Sequence, residues 1–242
     1  GSTQPQHLAI EYSNISGGQE GIVTNDNGTV EWGIGNIAVN PQFISAENND
    51  YHLFANSNCI NAGHPDSTDS DSSRADMGAY PYLNEYPGPN WHVATDGDDV
   101  SGTGALDNPF SSIQAGINFS SNGDSVLVSA GTYYENVDLR KNAITVRGTV
   151  GAALTTIDGG QNGSVVYINH QSWNGNIEEY GPTALEDFTI TNGIGYSNEW
   201  GGRSGGGIYC YYADPILTGL IIEYNTVPPI PNNQGGGIYF SR

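Results

Sequence analysis

Gly205-Gly206-Gly207-Ile208-Tyr209-Cys210 returns thirty positions later as Gly235-Gly236-Gly237-Ile238-Tyr239-Phe240, and this repetition decides the fold. Between the two copies lies Leu217-Thr218-Gly219-Leu220-Ile221-Ile222, and thirty-two positions before it lies Leu185-Glu186-Asp187-Phe188-Thr189-Ile190. Both read Leu-x-x-[Leu/Phe]-x-Ile. Working outward, residues 125–129, 143–147 and 164–169 are further short runs of Val, Ile, Leu, Tyr and Thr, bounded by Gly, Asn or Asp. β-branched and aromatic runs between turn residues are the mark of strands. Strands that recur every twenty to thirty residues describe a solenoid, in which each coil buries its apolar face only by stacking on the next. A β-sandwich would space its strands at about eight to twelve residues with hairpin turns. The expected class is therefore all-β and solenoidal.

One stretch breaks the pattern. In Asn108-Pro109-Phe110-Ser111-Ser112-Ile113-Gln114-Ala115-Gly116-Ile117-Asn118-Phe119, Ile113 and Ile117 lie four apart, and Ser111 or Ser112 can cap a helix start. A short capping helix near 111–119 would cover the strand edges at one end of the stack.

The 242 residues carry 26 acidic and 6 basic side chains, a formal charge of −20. Such a surface repels phosphate backbones and anionic lipid, which argues against nucleic acid as a partner. No apolar run is long enough for a membrane helix. Two cysteines, Cys59 and Cys210, are too few for a disulfide scaffold, and each sits in an apolar run that suits a buried thiol. High Asn, Gly, Ser, Thr and Tyr with a single lysine suits an extracellular or cell-surface bacterial protein.

Trp91-His92-Val93-Ala94-Thr95-Asp96-Gly97-Asp98-Asp99, then Asn108-Pro109-Phe110 and Ile113-Gln114-Ala115, resemble the amino-terminal cap of right-handed parallel β-helix proteins of the pectate-lyase-like superfamily. Asp124-Ser125-Val126-Leu127-Val128-Ser129-Ala130-Gly131-Thr132-Tyr133-Tyr134-Glu135-Asn136-Val137 resembles the first coil after that cap. The first third resembles the opposite end of such proteins, in Asn40-Pro41-Gln42-Phe43, Asp50-Tyr51-His52-Leu53, Ser57-Asn58-Cys59-Ile60-Asn61-Ala62-Gly63 and Arg74-Ala75-Asp76-Met77-Gly78-Ala79-Tyr80. The resemblance implies a right-handed parallel β-helix in which closing coils (1–80) precede a proline-bearing linker (81–90) and then a cap with first coils (91–242). A further echo bears on this order. Leu8-Ala9-Ile10-Glu11-Tyr12 matches Leu220-Ile221-Ile222-Glu223-Tyr224, and a second copy placed after Arg242 would set its Leu8 thirty positions beyond Leu220. Either the chain is one period of an array, or meets identical neighbours head to tail, or it is cut across a domain boundary and the echo is chance.

For chemistry, His64-Pro65-Asp66-Ser67-Thr68-Asp69-Ser70-Asp71-Ser72-Ser73-Arg74-Ala75-Asp76 is the densest polar segment. Asp66, Asp69, Asp71 and Asp76 form a candidate Ca2+ loop, since that ion takes six to eight oxygen ligands from flexible acidic segments. The run lacks the Gly and terminal Glu of an EF-hand, and a solvated acidic loop accounts for it as well. Asp96, Asp98, Asp99 and Asp107 make a weaker group that reads as turn punctuation. Superfamily enzymes act on polysaccharides. Here Glu186 and Asp187 are expected on opposite faces of a strand, Glu178-Glu179 sit in a loop, and Lys141, Arg140, Arg147 and Arg203 suggest no lyase base. No catalytic and no cofactor-binding residue is assigned. Tyr209, Tyr211, Tyr212 and Tyr239, with Trp173 and Trp200, could form an aromatic strip for sugar rings, or ladder along the solenoid. The expected role is a structural or adhesive module of a repetitive surface protein that assembles into arrays or filaments. The alternatives are a polysaccharide lyase or hydrolase and a glycan-binding module.

Overall fold

The computed structural model describes residues 6–24, 28–140, 143–170, 181–197, 202–229 and 233–241. The chain forms two compact units, Gly1–Glu85 and Tyr86–Arg242.

In the first unit, β1 (Gln6–Ile10) pairs in parallel with β2 (Gly28–Trp32), Ile10 facing Trp32. Next, β3 (Phe43–Ser45) and β4 (Asp50–Leu53) form an antiparallel pair with an irregular register. The core of this unit is small: Leu53, Ala55, Cys59 and Ile60 are buried, whereas β1 is exposed along nearly its whole length.

The second unit opens with β5 (Asn90–Val93) and α1 (Ile113–Phe119). The chain then makes repeated circuits of three strands. The first is β6 (Ser125–Val128), β7 (Gly131–Tyr134) and β8 (Val137–Asp138), followed by β9 (Thr145–Gly148), β10 (Thr155–Asp158) and β11 (Val166–Asn169). The third circuit is β12 (Ala184–Glu186), β13 (Thr189–Thr191), an antiparallel excursion of β14 (Tyr196–Ser197) with β15 (Arg203–Ser204), and β16 (Ile208–Tyr211). The last is β17 (Ile216–Thr218), β18 (Ile221–Ile222) and β19 (Ile238–Ser241). Each circuit adds one strand to each of three parallel sheets, ordered β5-β6-β9-β12-β17, β7-β10-β13-β18 and β8-β11-β16-β19. The protein is thus predominantly β, with several parallel sheets and a single α-helix among the described residues.

The core follows from the alternation of side chains along strands. In β11, Val166 and Ile168 are buried while Tyr167 and Asn169 face outward, and β6 and β10 alternate in the same way. Because pairing is parallel and in register, like faces like from circuit to circuit. Trp91, Val126, Val146, Leu185 and Leu217 form one ladder. Tyr133, Ile157, Ile190 and Ile222 form a second, and Val137, Val166, Ile208 and Ile238 a third. These ladders meet in the middle and supply the hydrophobic free energy that no single circuit could gather.

The corner between the first two sheets rests on one left-handed residue. Asp187 (φ 63°) and Gly219 (φ 63°) occupy equivalent places in successive circuits, turning β12 into β13 and β17 into β18. The Leu-x-x-[Leu/Phe]-x-Ile motif is therefore two short strands around a bend. Asp187 lies at the bend, so the expectation that Glu186 and Asp187 share a strand is corrected: the chain turns between them. The glycine triplets have a different cause. A Cβ on Gly206 would collide with the carbonyl oxygen of Gly236, so the two backbones approach where no side chain fits.

At one end α1 closes the stack. Ser112 caps it, its side chain accepting from the Ala115 N–H at 3.3 Å. The Glu135 carboxylate accepts from the Ile113 and Gln114 N–H groups at 2.8 and 3.0 Å. The Gln114 carboxamide then pairs with both backbone groups of Asp138, donating to its carbonyl at 3.1 Å and accepting from its N–H at 2.8 Å, as a neighbouring strand would. Trp91 and Phe110 pack against Phe119 at the end of the helix, and the Trp91 indole N–H donates to Asp124 at 2.9 Å.

Candidate functional site

The opposite end of the second unit exposes strand edges and apolar side chains. Among the described residues β17, β18 and β19 each have a neighbour on one side only. The core ladders run out into solvent there. Ile208 and Cys210 are 0% and 1% exposed, yet Ile238 and Phe240, their register partners one circuit on, are 45% and 57% exposed. Three adjacent edges with an apolar centre make a surface that adds strands.

The corner beside β18 shows how one circuit is tied to the next. The Asn225 amide donates to the Ile190 carbonyl and accepts from the Gly193 N–H, both at 2.8 Å, while the Glu223 N–H also reaches the Ile190 carbonyl at 3.1 Å. Asn192, between Ile190 and Gly193, is left-handed (φ 60°). The first unit contains the same device. Asn36 donates to the Ile10 carbonyl at 2.7 Å and accepts from the Ser13 N–H at 3.0 Å, and the Gly33 N–H reaches the Ile10 carbonyl at 2.8 Å. Tyr12, two residues after Ile10, is left-handed (φ 46°), as is Tyr224 (φ 55°), two residues after Ile222. The echo between residues 8–12 and 220–224 is thus an echo of backbone shape as well as of letters. Sequence reading found the repeated letters and missed the asparagine clamp, because one Asn among many in this chain carries no mark.

The acidic loop uses its carboxylates to hold backbone. Asp69 accepts from the Asp76 N–H, and Asp76 accepts from the N–H groups of Asn61 and Tyr82. Asp71 accepts from the Ser73 N–H and hydroxyl and from the Asn84 N–H. Asp66 is exposed, 4.0 Å from His64. The Asp69 and Asp71 charges reach Asp76. Among the described residues no group of His, Cys, Asp or Glu side chains stands as a metal cluster. Both carboxylate oxygens of Asp71 and of Asp76 already accept hydrogen bonds that hold the loop, so chelator or millimolar Ca2+ is expected to leave the melting curve unmoved.

Asp76 gives this loop a pH dependence. Burial pushes its carboxyl up to about 6; the Asn61 and Tyr82 N–H groups pull the other way, and the Asp69 and Asp71 charges add to the rise. Because the folded value lies above the ordinary one, its contribution to stability is complete below pH ~4 and is lost as the pH rises through about 6. Urea midpoints measured between pH 4 and 7 are expected to fall with pH in the native chain, and to fall less in Asp76→Asn.

Of the residues expected in an aromatic strip, Tyr209 and Tyr239 stand in a ladder. Tyr167, Tyr209 and Tyr239 stack along the third sheet with centroids 5.4 and 5.3 Å apart and planes within 2° and 17° of parallel. Tyr196 leans on Tyr167 and Tyr209, and Tyr211 packs edge-on against Tyr212. Both faces of Tyr209 are taken by neighbouring rings, and it is only 7% exposed. Burial pushes its phenol up to about 12. Trp173, Trp200, Lys141 and Glu178-Glu179 lie outside the described residues.

Elsewhere the structure assigns structural duties to charged groups. Asp98 accepts from the Val100 N–H and the Ser101 hydroxyl, and Asp99 accepts from the Ser111 and Ser112 N–H groups. Arg147 faces Glu186 at 4.0 Å, and Arg203 donates to the Gly195 carbonyl. Cys59 and Cys210 are buried free thiols. An open cavity of about 810 Å³ in the first unit is bordered by Tyr12, Asn14, Val39, Phe43, Cys59 and Met77. No helix among the described residues is long and apolar enough to cross a membrane. Compared with known protein families, curated proteins and solved structures, the chain matches none.

Proposed function

We propose that this chain is a structural module of the right-handed parallel β-helix class, the circuits of its second unit being coils of such a helix, and that it works by joining coil ends. In this reading it belongs to a secreted or surface-displayed repetitive protein, and its partners are copies of itself or adjacent repeats. The observation that carries the reading is the asymmetry of the second unit: α1 covers one end of the stack, while β17, β18 and β19 present three open edges around Ile238 and Phe240 at the other. Open edges of this kind pair with further strands and gain both backbone hydrogen bonds and apolar burial. The resemblance of residues 91–137 to a β-helix cap and first coil supports the class. The deficit of lysine and arginine suits an extracellular setting.

Light scattering of the purified chain over a concentration series tests the function. Masses rising in whole multiples of 25.6 kDa, with filaments under electron microscopy, are expected. A chain that stays at its monomer mass up to millimolar concentration would overturn the proposal.

A further inference from the structure

The open edge of β18 has a specific complement. From the matched corners we infer that β1 of a second copy adds in parallel to β18, with Ile10 of that copy opposite Ile222. The inference rests on the coil-joining function proposed above and specifies its joint.

Three observations converge on this register. First, direction: among the described residues β18 follows β13 in its sheet and its free edge faces onward along the stack, whereas β1 precedes β2 and its free edge faces back. An onward edge and a backward edge meet without reversing the chain, as a head-to-tail contact requires. Second, shape: Ile222-Glu223-Tyr224 and Ile10-Glu11-Tyr12 both end in a left-handed tyrosine, at φ 55° and 46°. Strands that bend at the same place stay in register through the corner, whereas a shift of one residue would turn every side chain to the wrong face. Third, continuity: inside each unit the coil after an Ile at this position places its next strand directly opposite, Ile222 on Ile190 and Trp32 on Ile10. The proposed joint repeats that coil-on-coil interface once more. Leu8, 47% exposed, and the apolar end around Ile222 and Ile238 would leave water together.

In this register Ala9 lies opposite Ile221, and both positions are exposed before assembly. Facing residues on neighbouring parallel strands lie about 4.8 Å apart, within disulfide reach. The test mixes two full-length variants that each carry one added cysteine, Ala9→Cys and Ile221→Cys, under mild oxidation, beside a control mixture of Ala9→Cys and Glu223→Cys. A disulfide dimer forming at least about ten-fold faster in the first mixture is the expected result, since two residues of offset put the control pair near the limit of bridging distance or beyond. Equal rates, or no dimer, in a chain that light scattering shows to associate would overturn the register and leave the coil-joining function standing. A chain that neither crosslinks nor associates would overturn both. Native Cys59 and Cys210 are buried and do not compete.

Discussion

Ile157→Asp is expected to abolish the folded state of the second unit, and Ile157→Ala to lower its stability by about 2–5 kcal/mol. Ile157 is fully buried in the second ladder, between Tyr133 on one side and Ile190 on the other. A carboxylate there would lose its hydration with no cation to meet it, and alanine would leave a cavity that two flanking strands cannot close. Position 222 in the same ladder gives the contrast. Ile222 has a neighbouring strand on one side only, so Ile222→Ala is expected to cost no more than about 1–2 kcal/mol in dilute solution. Urea denaturation followed by circular dichroism measures both. Equal costs would mean that the edge of β18 is already covered.

Trp91→Ala is expected to cost about 3–5 kcal/mol. Trp91 is 4% exposed, starts the first ladder, packs with Phe110 and Phe119, and anchors its indole N–H on Asp124. Its removal strikes both the last rung of the core and the seat of α1. Trp91→Phe keeps a ring and gives up the hydrogen bond, so a loss of about 1 kcal/mol is expected. If the two substitutions cost the same, the hydrogen bond and not the packing would be the larger part of the anchor.

How much of this was legible in the letters depends on how local the cause is. The strands at 125–128, 145–148 and 166–169 were readable because alternating apolar residues between Gly, Asn and Asp leave few options. The helix was readable to within a residue or two, Ser112 being the cap that the hydroxyl and the Ile113–Ile117 spacing suggested. The strands at Gly131–Tyr134 and Thr155–Asp158 were not, since threonine, tyrosine and aspartate are ambiguous until a neighbouring coil supplies a partner. The bend at Asp187 was missed because aspartate adopts left-handed geometry only in context, whereas Gly219 at the equivalent place advertises it. At the candidate site, the repeated Ile-Glu-Tyr pointed to the matched corners, but the clamps of Asn36 and Asn225 depend on backbone groups twenty-six and thirty-five residues away. Tyr209 and Tyr239 were singled out, but Tyr167 and Tyr196, which stack with them, were not, because only the register between circuits brings those rings together.

The helix lid at one end of the second unit also sets a timetable. Ile190 meets Ile222, thirty-two positions on, only after the chain between them has been ordered, a loop-closure delay that recurs with every circuit. A coil that has already settled offers the next one a template, so the first nucleus is the slow event and later coils follow it. The lid, with Trp91 and Glu135 beneath it, is made from a segment near the start of that unit. A nucleus that forms at the lid therefore grows in the direction of synthesis, so that ribosomal emergence and structural growth would run the same way.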